Sequence, residues 1–189
     1  VNTNTGNRME IADYRLSFEM APVGLVISRN RIMVDCNRHV CEMFGASREL
    51  LMGQSFSVLY PSVDEYERLG KRMEPILNAK GRYADNRIMK RATGEVFWCH
   101  VSGRAINRDD PHASGIWSFE DLSEQRPVKA ELTGREREVA ARLLEGMTSK
   151  EIGRALDISH RTVEIYRARL MRKYGASTAG DLVQKLLVG

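Results

Sequence analysis

The feature that most constrains the fold is a series of short helices near the C-terminus, each marked in the sequence where it begins and ends. Thr133 and Thr148 each stand three residues before a glutamate, which is the spacing of a capping box at a helix start. Gly146 and Gly175 stand where a left-handed residue ends a helix. With Ser159 as a further N-cap, these signals predict four helices, at about 134–145, 149–156, 160–174 and 178–187.

The second and third predicted helices are separated by only three residues, 157–159. A helix, a tight turn and a second helix form the layout that places a recognition helix in the major groove of DNA. Helical periodicity puts Val163, Tyr166 and Leu170 on one side of the third helix, where they can pack on its neighbours. The opposite side and its flanks carry a set suited to phosphates and base edges: Arg161, Glu164, Ile165, Ala168, Arg169 and Arg172. We therefore expect double-stranded DNA as the partner.

Four runs carry a family resemblance: LTGREREV at 132–139, SKEIG at 149–153, ISHRTVE at 158–164 and MRKYGA at 171–176. With them, the segment resembles the C-terminal DNA-binding domain of the LuxR/FixJ family of bacterial transcription regulators. The resemblance implies a four-helix module whose third helix reads the major groove and whose fourth helix often dimerises. It also implies promoter DNA as a partner and RNA polymerase as a further candidate partner.

The resemblance assigns roles to individual positions. Glu164, Ile165 and Ala168 fall where family members touch bases, and the positions at phosphates are Lys150, Thr162, Arg169 and Arg172. The chain departs from the family at three of its residues: Tyr166 stands where His is usual, Tyr174 where Leu is usual, and Glu164 where many members carry Lys or Arg. These departures leave the operator sequence open.

Length and charge fit two small domains. The chain has 189 residues and a formal net charge of +4. Residues 131–189 hold 11 basic and 8 acidic residues, a net of +3, so most of the small excess lies in the C-terminal segment. A net charge of this size does not drive strong non-specific DNA binding, so local clustering on the third helix has to provide the contacts.

Several classes of protein do not fit the sequence. No run of 18 apolar residues occurs, and the polar first residues do not read as a signal peptide. Three cysteines without a CxxC pair suit a reducing compartment, so we expect a cytoplasmic protein. The chain begins with Val, so its natural start is expected to lie upstream. No P-loop, nucleophile elbow or zinc spacing is present, and an enzyme is therefore not expected.

The N-terminal part reads as mixed helix and strand. After a helical pattern at 9–20, two strand-like runs at 24–28 and 31–37 flank a turn at Arg29–Asn30. Helical stretches follow up to about residue 78, and three longer strands close the segment, at 82–90, 95–106 and 115–122. Pro127 interrupts the chain in a short linker. The expected fold class is α+β, with a five-stranded antiparallel sheet and flanking helices followed by the all-α four-helix domain.

Recurring phrases in this part are APVGLVI at 21–27, CNRHVCEMFG at 36–45, ELLMGQSFSVLYP at 49–61, RATGEVFW at 91–98 and FEDLSEQR at 119–126. They resemble PAS domains, which implies a sheet that cups a pocket beneath its helices. Asp121, Leu122 and Ser123 stand where that family links the sheet to its output element. The expected organisation is an N-terminal helix over 1–17, a PAS domain over 18–126, a linker over 127–131 and the DNA-binding domain over 132–189.

The contents of the pocket are open at this stage. An organic small-molecule ligand is the leading hypothesis, with candidate pocket residues Met43, Leu51, Met89, Trp98, His100 and Trp117. Haem would need an axial ligand such as His39, His100 or His112. A photoactive flavin would need a cysteine that ELLMGQSFSVLYP lacks, and thiol redox sensing would need a reactive Cys36, Cys41 or Cys99. Alternatively, these side chains only fill a core, and the domain serves for dimerisation or protein contacts.

The combination predicts a one-component regulator. A signal in the PAS pocket would act through Asp121, Leu122 and Ser123 on how two recognition helices meet DNA. A homodimer is expected because one helix-turn-helix covers only a half-site. Candidate dimer surfaces are the helix at 9–20 and the helix at 178–187, with its apolar residues Leu182, Val183, Leu186 and Leu187.

Overall fold

The N-terminal part of the chain folds around one antiparallel sheet. The computed structural model describes residues 13–128 and 130–188. Its strands are β1 (Gly24–Arg29), β2 (Ile32–Cys36), β3 (Arg82–Lys90), β4 (Val96–Ala105) and β5 (Gly115–Asp121). They lie in the order β2-β1-β5-β4-β3, which confirms the predicted five-stranded sheet and leaves β2 and β3 as its edges.

Helices cover one face of this sheet. The described part of α1 spans residues 13–19, so the first residues of the helix predicted at 9–20 lie outside the described residues. Between β2 and β3 the chain forms α2 (Arg38–Phe44), α3 (Arg48–Leu51), a 3-10 turn (Phe56–Leu59) and α4 (Val63–Lys80). These elements account for the helical stretches predicted up to about residue 78, and the side chains of Asn37 and Ser62 cap α2 and α4.

The alternation along β4 decides which side chains enter the core. Phe97, Cys99 and Val101 point under the helices and are almost fully buried, whereas Trp98 and His100 lie on the other face. Phe44 packs edge-on against Phe97 and Phe119 at ring distances of 5.5 and 5.7 Å. The inner face of the sheet is therefore the aromatic one that lies over α2 to α4.

The first hairpin differs from the prediction by one residue. The turn lies at Asn30–Arg31 rather than Arg29–Asn30, and both residues are left-handed, with φ of 50° and 63°. The register between β1 and β2 shifts between Ile27 and Ser28, and Arg29 pairs with Ile32 as the last pair before the turn. Two left-handed residues define a type I′ hairpin turn, where Asn is common at the first position and Gly at the second.

The C-terminal part contains the four predicted helices: α5 (Gly134–Leu144), α6 (Ser149–Leu156), α7 (His160–Tyr174) and α8 (Ala179–Val188). Thr133 with Glu136 and Thr148 with Glu151 form complete capping boxes, as predicted. The turn between α6 and α7 is tight enough that a Cβ on Gly153 would lie 2.8 Å from the Ile158 carbonyl oxygen. Glycine therefore sets the close approach of these two helices.

Candidate functional site

Helix α7, the predicted recognition helix, leaves its outer face open. Val163 and Leu170 are fully buried against α5 and α6, while Tyr166 and Tyr174 are half-buried. On the opposite side Ile165 keeps 47% of its surface exposed. The other predicted DNA-contacting residues are also exposed, except for Thr162, which is half-buried beside the N-cap: Lys150, Arg161, Glu164, Ala168, Arg169 and Arg172.

Charges on this face are arranged unevenly. The Glu164 carboxylate lies 3.4 Å from Arg167 and 3.7 Å from His160, so its negative charge has partners on its own helix. The Arg169 guanidinium sits 5.5 Å from the ring centre of Tyr166. Within the described residues, Arg161 and Arg172 form no ion pair. Their guanidinium groups are therefore available to phosphates or guanine edges.

A small cavity of about 30 Å³ lies between the sheet and the helices of the N-terminal domain. Of the six pocket residues predicted from the sequence, only Trp117 lines it. Its indole Nε1 donates to Ser28 Oγ at 3.1 Å, and its ring lies 5.8 Å from that of Phe56. The lining residues are Ser28, Arg31, Phe56, Tyr60, Tyr66, Met73, Arg87, Val101, Pro111, His112, Trp117 and Phe119.

The other predicted pocket residues lie elsewhere. Met43, Leu51 and Met89 belong to the same apolar core but do not line the cavity. Trp98 is on the outer face of the sheet, buried with residues of the C-terminal domain. His100 is half-exposed on that face, with Nδ1 2.7 Å from Asn86 Oδ1.

Arg87 is the most connected side chain of the cavity wall, and it was not among the predicted residues. Its Nη1 donates to Tyr60 Oη at 2.7 Å, and its Nε donates to Asp85 Oδ1 at 2.6 Å. Desolvation alone would lower its pKa, but Asp85 raises the pKa of this arginine above its ordinary value. Asp85 and Arg87 carry opposite charges at alternate positions of β3, so their side chains share one face of the strand, and this spacing is the sequence signal that points to the pair.

Asp85 joins the N-terminal domain to the C-terminal one. Its carboxylate is 1% exposed and accepts from Tyr83 Oη at 2.8 Å and from Arg142 Nη2 of α5 at 2.9 Å. Arg72 of α4 lies 3.3 Å away. Burial raises the pKa of Asp85, but Arg87 and Arg142 outweigh that effect, so its pKa lies below the ordinary value. The carboxylate is therefore ionised at neutral pH.

Further contacts hold α5 against the edge strand β3 and helix α4. Arg137 Nε donates to Glu65 at 3.0 Å, and Arg68 Nη2 lies 3.2 Å from Glu138. Below these ion pairs, the outer-face residues Ile88 and Trp98 share one buried cluster with apolar residues of the C-terminal domain. The domain interface is therefore an apolar contact rimmed by ion pairs, and α5 covers a strand edge that would otherwise be open.

The predicted coupling triplet lies at the end of β5. Arg91 Nη2 is 2.7 Å from Asp121 Oδ2, and the Ser123 backbone N–H donates to Asp121 Oδ1 at 2.8 Å. Partial burial raises the pKa of Asp121, but the hydrogen bonds from Ser123 and Arg91 lower it below its ordinary value. Leu122 packs against the same apolar cluster as α5. The triplet therefore ends the sheet and touches the domain interface.

The residues considered for haem or thiol chemistry are dispersed. Only His112 of the three candidate histidines lines the cavity. The Sγ atoms of Cys36 and Cys41 lie 3.8 Å apart. Burial raises the pKa of the Cys36 and Cys99 thiols to about 12, so both are protonated at neutral pH. In the described part of the chain, no helix has the length and apolar character needed to span a membrane.

A five-stranded sheet over a cavity, joined to a helix-turn-helix domain, defines the class of protein as a sensory domain linked to a DNA-binding domain. A family model for PAS domains matches residues 22–124, and a model described as bacterial regulatory proteins of the luxR family matches residues 130–186. The chain therefore belongs to the luxR family of bacterial regulators and carries a PAS domain before its DNA-binding domain.

Curated relatives match the chain in parts. The sensor protein TdiS of Thauera aromatica is 29% identical over 119 residues, which are 63% of this chain and 22% of TdiS. The regulator FixJ of Bradyrhizobium diazoefficiens is 38% identical over 80 residues, 42% of this chain and 38% of FixJ. The regulator UhpA of Escherichia coli is 45% identical over 58 residues, 31% of this chain and 30% of UhpA. The chain thus spans less than two fifths of the length of these relatives.

Solved structures match each level of the fold. The PAS domain of a LuxR-family transcriptional regulator from Burkholderia thailandensis, solved in complex with ethanol, is 57% identical, with a TM-score of 0.58. The match covers 59% of this chain and 98% of the Burkholderia chain. The LuxR-type receptor VqmA of Vibrio cholerae covers 94% of this chain and 87% of its own, at 22% identity and a TM-score of 0.55. VqmA therefore shares the two-domain fold.

Proposed function

We propose that this chain is a one-component transcription regulator in which a small molecule in the PAS cavity sets how two copies present α7 to promoter DNA. The observation that carries the proposal is the position of Asp85. It binds Arg87, which lines the cavity, and Arg142, which belongs to the first helix of the DNA-binding domain. A change at the cavity wall can therefore reach α5 through two successive contacts, from Arg87 to Asp85 and from Asp85 to Arg142. Residues 121–123 provide a second connection through the domain interface.

The size of the cavity and the Burkholderia relative support a small organic effector. A volume of about 30 Å³ holds roughly two to three water-sized groups, so the effector has few non-hydrogen atoms. The PAS domain that is 57% identical was solved with ethanol, a molecule of this size. Promoter DNA as partner implies that the protein acts in the cytoplasm, where RNA polymerase is a further candidate partner.

Dimerisation belongs to the same proposal because one helix-turn-helix covers only a half-site. Tyr14 and Leu16 on the described part of α1, and Met20 directly after it, are each exposed by 60% or more, and these residues favour this segment as a contact between copies. On α8, Leu182 and Leu186 are buried within their own domain, so only Val183, Leu187 and Val188 remain for a partner. The exposed α1 also favours a second candidate function, a PAS domain that serves mainly for dimerisation.

In vitro selection from a library of random DNA duplexes tests the DNA-binding part of the proposal with the intact chain. The expected result is a two-fold symmetric sequence whose half-sites lie about one helical turn apart. Enrichment of a single asymmetric half-site would contradict the dimer, and no enrichment would contradict sequence-specific binding.

Native mass spectrometry and an absorption spectrum of the chain purified from its own host test the sensory part. We expect the added mass of a small organic molecule and no absorption in the visible range. A Soret band or a flavin spectrum would overturn the assignment of the effector. An empty cavity, together with DNA affinity that no small molecule changes, would favour the dimerisation function instead.

A further inference from the structure

The wall of the PAS cavity carries two guanidinium groups and one imidazole. Arg31, Arg87 and His112 line it, and its other lining residues are apolar, aromatic or hydroxyl-bearing, with no carboxylate among them. The acidic partners of these groups, such as Glu67 for Arg31 and Asp85 for Arg87, lie outside the cavity. A cation beside a dry, low-dielectric space is stabilised when an anion enters that space.

Arg31 is held in this wall at a conformational disadvantage. Its φ of 63° lies in the left-handed region, at the turn position where glycine is usual. Its guanidinium carbon stacks 4.1 Å above the ring centre of Tyr66. The buried Nη2 of Arg31 has no hydrogen-bond acceptor. A strained residue with an unused buried donor is a frequent property of ligand-binding sites.

Gly70 makes room for the same guanidinium. It lies inside α4, where glycine destabilises a helix relative to alanine. A Cβ at this position would lie 2.6 Å from Arg31 Nη2 and 3.2 Å from Arg31 Cζ. Two locally unfavourable features, the left-handed Arg31 in the turn and Gly70 inside α4, thus place the Arg31 guanidinium beside the cavity.

Arg87 offers a second set of donors from the opposite end of the aromatic wall. Its Nε and Nη2 contact Asp85 Oδ1 and its Nη1 donates to Tyr60 Oη, so these oxygens engage three of the five N–H donors of the guanidinium. Nη2 also lies 3.8 Å from the Met73 sulfur. Sulfur is a weak acceptor, so a ligand oxygen would be a better partner. Tyr66 and Tyr60 connect the two arginines, because their rings lie 5.2 Å apart.

We propose that the cavity binds a short-chain carboxylate, with its carboxylate held by Arg31 and Arg87 and its hydrocarbon part against Phe56 and Trp117. This inference rests on the proposed function, because it names the chemical class of the effector. Guanidinium groups suit carboxylates by charge and by their paired donors. The volume of about 30 Å³ limits the chain to a few carbon atoms.

Isothermal titration calorimetry of the full chain with sodium propionate tests the assignment. Propionamide and 1-propanol are the neutral controls of nearly equal size, and sodium chloride controls for ionic strength. We expect saturable propionate binding that is at least tenfold tighter than that of either neutral molecule. No saturable propionate binding, or equal affinity for 1-propanol, would overturn the proposal.

Two variants separate binding from folding. Arg31→Gly places the usual residue in the turn, so it should keep or raise the melting temperature while propionate affinity falls at least tenfold. Gly70→Ala adds a better helix former but displaces the guanidinium, so it should also raise the melting temperature and weaken propionate. Gly180→Ala has open space around its new Cβ and is the matched control that keeps affinity. Unchanged affinity in both Arg31→Gly and Gly70→Ala would contradict the site.

A parallel titration of the selected DNA distinguishes this inference from the proposed function. If propionate binds as expected but leaves DNA affinity unchanged, the cavity assignment stands and the regulatory proposal fails. If a neutral molecule binds, changes DNA affinity and excludes propionate, the regulatory proposal stands and the carboxylate assignment fails.

Discussion

The two domains place their functional charges in opposite environments. In the helix-turn-helix domain, Arg161 and Arg172 are exposed and form no ion pair within the described residues. In the PAS domain, Arg87 and Asp85 are buried and form an ion pair with one another. Exposed charges are held by helix geometry alone, whereas buried charges need every neighbour in place. The proposed DNA-binding surface is thus a local property of α7, and the proposed sensory site depends on contacts distant in sequence.

This difference predicts that the largest effect on stability comes from the buried carboxylate. Asp85→Asn leaves Arg87 and Arg142 without their shared counter-charge, so we expect a loss of about 3–5 kcal/mol in the free energy of unfolding. Urea unfolding followed by tryptophan fluorescence measures it. Asp109→Asn, in an exposed loop, is the control. A loss below about 1 kcal/mol lies within the range of a surface ion pair and would contradict the distinction between the buried charges of the PAS domain and the exposed charges of α7.

The same carboxylate predicts a pH dependence. The folded-state pKa of Asp85 lies below its ordinary value, so the unfolded chain binds more protons in this range. Its stabilisation is complete above the unfolded-state pKa of about 4 and is lost as pH falls through the folded-state pKa. The urea midpoint should therefore decline below about pH 4, and more steeply in the native chain than in Asp85→Asn. If the urea midpoint declines equally with pH in the native chain and in Asp85→Asn, Asp85 is not the source of this pH dependence.

A smaller effect should be confined to the DNA-binding domain. Gly153→Ala forces a Cβ to within 2.8 Å of the Ile158 carbonyl, so α6 and α7 must separate. We expect a loss of about 1–3 kcal/mol and weaker DNA binding, because the recognition helix is tilted. Gly180→Ala should instead gain up to about 1 kcal/mol. Equal DNA affinity in Gly153→Ala and the native chain would show that the turn does not set the angle that DNA reads.

The smallest effect is expected from thiol chemistry. Burial raises the pKa of the Cys36 and Cys99 thiols to about 12, so neither is a nucleophile at neutral pH. Iodoacetamide treatment of the native chain, followed by mass spectrometry, should leave both unmodified while the unfolded chain is fully labelled. Rapid labelling of Cys99 in the native chain would instead support thiol sensing as the function of the PAS domain.

The same contrast explains what the sequence could and could not predict. Capping boxes and a 3.6-residue period act within a few residues, so α5 to α7 and the open face of α7 follow from the sequence. Alternation along β4 divides its residues between two faces but does not say which face lies under the helices. Trp98 was therefore placed in the pocket although it lies under the docked domain.

The cavity residues were missed for a related reason. Arg31 reaches the cavity from a left-handed turn position, one residue beyond the predicted turn, and Gly70, 39 positions later, leaves space for its guanidinium. The link between Asp85 and Arg142 spans 57 residues and depends on how α5 docks. Long-range pairing of this kind leaves no periodic trace in one sequence, although opposite charges two positions apart on one strand are a usable signal.

The most direct test of the account is the affinity of the intact chain for its selected duplex, measured by fluorescence anisotropy over a range of salt concentrations. Replacing Arg161 and Arg172 together by Ala should weaken binding at least tenfold and reduce the slope of log affinity against log salt by about two. Arg38→Ala, an exposed basic residue of the PAS domain, should leave both quantities unchanged. Native affinity and native slope in the double variant would contradict the assignment of the DNA-binding face to α7.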